Sequence, residues 1–144
     1  MSEKPEKHYL WRDLRFELPA GVVDDTLLAF KGPAAAFSLT VARELLGAST
    51  LELWARAQEQ AMGAQKLPAY VGEAPRPLPA PEGAKAVVVD RRFNDGSGSK
   101  LFQRQAFVAL GPTVAIVTAT SRDPAAEQAK QAVVDVVNTL RRAP

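Results

Sequence analysis

The sequence predicts an α+β fold, a mainly antiparallel sheet of about six strands flanked by two helices. Three observations point there. Six segments either alternate apolar with polar side chains or run dense in β-branched residues, the signature of strands. Two others, 51–66 and 124–140, return apolar residues every three or four positions, as one buried helix face requires. The last three strand candidates are joined by tight turns, which makes them a meander.

In chain order, residues 2–8 are polar and read as a frayed tail, with 1–8 expected to be disordered. Residues 15–19 alternate and stop at Pro19-Ala20-Gly21, a first strand closed by a turn. The run 26–31 ends at Gly32-Pro33 and is the second. In the third, 36–44, Phe37, Leu39 and Val41 take one face while Ser38, Thr40 and Ala42 take the other, which suits an antiparallel sheet. Ser49-Thr50-Leu51-Glu52 fits a capping box, with Glu52 reaching back to the Ser49 backbone, so a helix starts there. Its spaced residues are Leu51, Trp54, Ala55, Gln58, Met62 and Gln65, and Pro68 ends it because a residue before proline is driven out of the α region.

Prolines at 68, 75, 77, 79 and 81 exclude a central strand but permit an extended edge, and the stretch reads as an ordered connection. A strand over 84–93 follows, dense in Val87, Val88 and Val89; the turn 94–98 joins it to 100–110, and Gly111-Pro112 turns into 114–121. Asp123-Pro124 reads as an N-cap followed by proline, opening a helix whose stripe is Ala129, Val133, Val136, Val137 and Leu140.

Composition narrows the chemistry. A length of 144 residues suits one domain, 1–144, with a core that needs neither disulfide nor structural metal. There is no cysteine, hence no thiolate chemistry, and the single histidine, His8, lies in the polar N-terminal segment without an orienting partner. Neither a catalytic triad nor a histidine zinc site can be assembled, so no catalytic residue, metal or cofactor is expected. The formal charge of +2 is too small to mark a nucleic-acid binder, and no stretch approaches the roughly 20 apolar residues that span a bilayer. A cytoplasmic location without stable membrane insertion is expected. The loop 94–100 gathers glycines and a lysine but lacks the spacing of a phosphate-binding loop, so it reads as a hairpin turn. The carboxylates Asp24, Asp25, Glu44, Asp90 and Asp95 are scattered and read as solvated.

The informative strand is 101–107. Alternation puts Gln103 and Gln105 on one face between Leu101 and Phe107, opposite Phe102, Arg104 and Ala106. The glutamines either face water or offer amides inside an otherwise apolar surface to a guest with hydrogen-bonding groups of its own. Gln58, on the Trp54 face of the first helix, repeats the combination.

At these residues the chain resembles the effector-associated (Eag) chaperones of type VI secretion, within the superfamily of PsbP-like and DcrB-like domains. The resemblance rests on Arg15-Phe16-Glu17-Leu18-Pro19 with Asp24 and Thr26, and on Phe37-Ser38-Leu39-Thr40-Val41-Ala42-Arg43-Glu44. It extends through Leu53-Trp54 with Gln58, Gln103-Arg104-Gln105-Ala106-Phe107 and Thr118-Ala119-Thr120-Ser121. It implies a PsbP/Mog1-like sandwich and a homodimer that shields the N-terminal transmembrane helices of a secreted effector before export. Glutamines in positions like Gln58 and Gln103 or Gln105 would hydrogen-bond the guest, with Leu101, Phe107 and Trp54 in apolar contact. The alternative is a non-enzymatic regulatory module of the Mog1-like kind that binds a folded protein.

Overall fold

Strand-forming alternation and turn chemistry act locally, and the longest elements lie where both are strongest. The computed structural model describes residues 8–11, 14–17, 19–21 and 27–141. Among the described residues nine strands and two α-helices follow in order: β1 (His8–Trp11), β2 (Leu14–Glu17), β3 (Leu28–Lys31), β4 (Phe37–Leu45), α1 (Leu51–Ala64), β5 (Val71–Gly72), β6 (Arg76–Leu78), β7 (Lys85–Asn94), β8 (Lys100–Leu110), β9 (Thr113–Arg122) and α2 (Ala126–Thr139). β1 and β2 pair as a separate two-stranded ribbon, and the other seven strands form one antiparallel sheet in the order β3-β4-β9-β8-β7, with β5 and β6 both along the outer edge of β7.

The α+β class and the antiparallel sheet with two helices are as expected. The sheet has seven strands because the proline-rich run supplies two short edge pieces. Pro77 has no N–H to give, and an edge position asks for none on its outer side. The alternating strand at 15–19 is β2, paired only with β1, and β1 begins at His8, inside the stretch expected to be frayed. Residues 1–7 and Asp24, Asp25 and Thr26 lie outside the described residues.

Both helix starts differ in detail from expectation. The N-cap of α1 is Thr50, whose hydroxyl accepts from the Leu53 N–H at 3.3 Å, one residue beyond Ser49. At the second helix Asp123 opens a 3-10 turn, Asp123–Ala125, and its carboxylate accepts from Arg92 Nε at 3.2 Å instead of capping α2. The β8–β9 turn needs only Gly111 and Pro112, with Gly111 at φ +63°, the sign that a two-residue hairpin compatible with strand twist demands. Asp95 closes the β7–β8 loop by accepting from the Ser97 and Ser99 N–H groups, as a hairpin turn and not a phosphate cradle.

The core lies mainly between α2 and the middle of the sheet. Phe102, Ala106 and Val108 of β8 and Val117 and Ala119 of β9 meet Ala126, Ala129, Val133 and Val137 of α2. Alanines on both sides let the helix approach closely, and each fully buried valine contributes on the order of 1.5–3 kcal/mol. α1 covers the opposite face over β7, β8 and the start of β9, closing a smaller cluster of Leu51, Ala55, Val87, Val89, Phe107 and Val114. Two helices thus share a seven-stranded sheet unequally. Along β9, Ala115, Val117, Ala119 and Ser121 are buried under α2, while Ile116, Thr118 and Thr120 on the other face are only half-buried.

The packing predicts a contrast. Phe102, fully buried, should cost about 3–5 kcal/mol when replaced by alanine, because its cavity cannot refill. Leu45, 77% exposed, should change stability by less than about 0.5 kcal/mol in the same exchange. Urea denaturation of Phe102→Ala and Leu45→Ala checks both; equal effects would misplace the core.

Candidate functional site

On the face that α1 leaves uncovered, strand pairing sets side chains in rows. One row runs Lys31, Ser38, Thr120, Gln103 and Arg91 across β3, β4, β9, β8 and β7. The next runs Ala29, Thr40, Thr118, Gln105 and Val89. Small and hydroxylated residues dominate, so the surface is a low shelf bounded on one side by α1.

Arg91 anchors the inner border of this shelf. It sits on the valine face of β7, its side chain is 0% exposed, and a guanidinium there needs partners. Its Nε donates to Glu59 Oε2 at 2.7 Å, and its Nη1 donates to Gln103 Oε1 at 2.9 Å and Gln105 Oε1 at 2.8 Å. Nη2 is buried with no hydrogen-bond partner among the described residues. Tyr70 donates its hydroxyl to the other oxygen of Glu59; burial first, then that carboxylate, push its pKa up to about 12. A tyrosine so held stays protonated and is no nucleophile near neutral pH.

The arginine also decides which way the glutamines point. With both amide oxygens turned inward, Gln103 Nε2 donates to Thr120 Oγ1 at 3.1 Å and Gln105 Nε2 to Thr118 Oγ1 at 3.0 Å. Each amide keeps one N–H and the hydroxyls keep donor capacity for anything laid on the shelf. The glutamines are therefore half-buried parts of a network, with a polar edge left over.

The remaining residues singled out from sequence divide. Leu101 is half-buried near the start of β8. Phe107 is 1% exposed and lies under α1, its ring edge-on to Trp54 with centroids 5.1 Å apart. Trp54 is half-buried above it, and Gln58 is half-buried one turn further along α1. Glu59, Tyr70 and Arg91 were not legible as a site. The available signals were a cation in phase with Val87 and Val89 and a glutamate four residues after Ala55 on the buried helix stripe.

Asp90 corrects the expectation of solvated carboxylates. It is 4% exposed and holds Arg104 in a two-pronged pair, Nε to Oδ1 at 2.7 Å and Nη2 to Oδ2 at 2.9 Å, while Arg76 adds a third bond at 3.1 Å. Burial alone would raise its pKa, but the hydrogen bonds and charges of Arg104 and Arg76 hold it below the usual carboxylate range. Next to this pair, Arg92 and Lys130 lie over the ring of Phe102 at 5.0 Å and 5.3 Å. Among the described residues no group of three or more His, Asp or Glu could hold a metal, and no helix is long and apolar enough to cross a membrane.

Two predictions follow from the buried charges. Arg91→Met should destabilise by about 3 kcal/mol, because it strands Glu59 and two amide oxygens; adding Glu59→Gln should recover part of that loss in a double-mutant cycle, and strict additivity would deny the coupling. Asp90 has a depressed folded pKa, so its stabilisation is fully present above the ordinary carboxylate pKa and is lost as pH falls from there through the lower folded pKa. Asp90→Asn should therefore lose stability at pH 7 and show a flatter pH profile than the unmodified chain in acid, read from urea midpoints.

A model of the DcrB family matches residues 14–139. Among solved structures, the chain is similar to a crystal structure of a Pseudomonas aeruginosa protein, PA94, described as of unknown function and as a candidate regulator. The two are 22% identical over 96% of this chain and 97% of that one, with a TM-score of 0.69. At that identity the likeness speaks for the fold alone. No curated protein matches the chain. Because the matched span runs from the first residue of β2 to the last of α2 and contains the seven-stranded sheet with both helices, the chain belongs to the DcrB family.

Proposed function

We propose that this DcrB-family chain is a non-enzymatic cytoplasmic chaperone that shields the N-terminal transmembrane helices of a type VI secretion effector before export, working as a homodimer. The observation that carries the reading is the shelf beside α1, where small residues and the outward edges of the Gln103 and Gln105 amides lie in one surface. Small side chains let a helix backbone come close, and hydroxyls and amides serve any polar group the guest carries.

Dimensions agree with this use. Four strands from β3 to β8 span roughly 14 Å at the usual strand spacing, enough for one helix of about 10 Å diameter. The half-covered part of β9, from Ile116 to Arg122, is roughly 20 Å long, whereas a membrane-spanning helix is about 30 Å. One shelf leaves a third of such a guest in water, and a second copy supplies the missing surface. Trp54 and Leu101 would meet the guest directly, Gln58 would line the α1 wall, and Phe107 would support Trp54 from beneath. A second reading, a regulatory module that binds a folded protein, draws on the description of the Pseudomonas aeruginosa protein and on the hydroxyl-rich character of the shelf.

The test is co-expression with the hydrophobic N-terminal segment of a type VI effector encoded beside the chain. A soluble complex is expected, and light scattering should return a dimer for the empty protein. Gln103→Glu and Gln105→Glu keep an acceptor on Arg91, so the fold should hold while guest recovery falls, each lost hydrogen bond being worth about 0.5–1.5 kcal/mol. Thr118→Arg should abolish recovery by filling the shelf. Full recovery in all three variants would put the guest elsewhere, and recovery of only folded, helix-free partners would favour the regulatory reading.

A further inference from the structure

Where the shelf ends, a cleft of about 490 Å³ opens between the start of β4, the ends of β3 and β9, the start of β8 and the 3-10 turn before α2. We propose that it binds a single-chain amphiphile with an anionic head group, of the class of a long-chain carboxylate. The proposal is independent of the chaperone reading.

The lining separates into two chemistries. Phe37, Leu101, Pro124 and the alanines at 35, 36 and 125 make an apolar surface, while among the described residues Lys31 and Arg122 supply the only charges, and both are positive. No described carboxylate lines the cleft. Neither cation makes an ion pair within 4 Å among the described residues; Asp95 feels the charge of Arg122, but its carboxylate is taken up by Ser97 and Ser99. Pairing puts both cations on one face of the sheet. Lys31 is level with Ser38 and so with Thr120, and Arg122 lies two residues beyond Thr120 on the same face of the sheet.

Phe37 gives the apolar wall its position. Its ring lies against Gly32, where any Cβ would collide with it, so the glycine permits the ring to fold back over the turn. The volume falls in the range of small-ligand pockets, roughly 300–1,000 Å³, which take an apolar body and a few polar anchors. Two cations on flexible stems, without ion-pair partners among the described residues, suit a carboxylate, and the hydroxyls of Ser38 and Thr120 can add hydrogen bonds.

Titration calorimetry with dodecanoate, below its micelle concentration, tests the site on the full chain. Saturable one-to-one binding is expected, at least tenfold tighter than for dodecyltrimethylammonium, and weakening as salt rises. Lys31→Gln with Arg122→Gln should lower dodecanoate affinity at least fivefold, and the two charge-reversed variants more, with the melting temperature unchanged. Equal affinity for the two head groups, absence of saturable binding, or undiminished affinity in the double glutamine variant would each overturn the proposal. Thr118→Arg, which lies outside the cleft lining, separates the two readings: it should abolish effector capture while dodecanoate binding persists.

Discussion

A guanidinium taken out of water must be given partners, and much of one side of this protein is arranged to satisfy Arg91. Its side chain sits at 0% exposure among valines, with Glu59 reaching down from α1 and Gln103 and Gln105 reaching across from β8. Helix placement, sheet register and amide orientation are thereby tied together. If α1 slid by one turn, Glu59 would leave the arginine; if β8 slipped by one residue, both glutamines would turn to the α2 face. An ion pair of this kind adds little net stability against a well-packed apolar substitute, but it is costly to break from one side, which favours a single arrangement.

The same economy of helices gives the molecule two unlike faces. α2 covers the middle of the sheet with interlocking alanines and valines, and a second buried pair, Asp90 with Arg104, sits at the rim of that core. α1 is as long as α2 but lies off-centre over β7, β8 and the start of β9, so the rest of β9 with β4 and β3 keeps a hydroxylated surface that no element of the described chain covers. Side chains too polar to form a core and too small to stand up from the sheet are what remain there. The shelf is a consequence of that asymmetry.

Membership of the DcrB family fixes the architecture without choosing the partner, since folds of this size carry unrelated functions. The choice therefore falls to the chemistry of the surface. Arg91 holds the amide oxygens, the threonines take one amide proton each, and the remaining donors face outward. That pattern offers hydrogen bonding and close contact to a partner laid on the shelf.

The sequence alone determined what is local. The β8 strand was legible to the residue, and β7, β9 and both helices to within about two residues, because alternation, helical spacing, proline and the two-residue turn at Gly111-Pro112 act over a few neighbours. Gln103 and Gln105 could be assigned to one face for the same reason. What only the tertiary structure decided is which groups meet across the chain. Glu59 and Arg91 are 32 residues apart, and Asp90 and Arg104 stand opposite only once the hairpin register is set. β1 is short, and its pairing with β2 is read from contact instead of pattern. Periodicity reports which side of an element is buried. It carries no information about the partner that comes to lie against it, and a buried charge is specified by that partner.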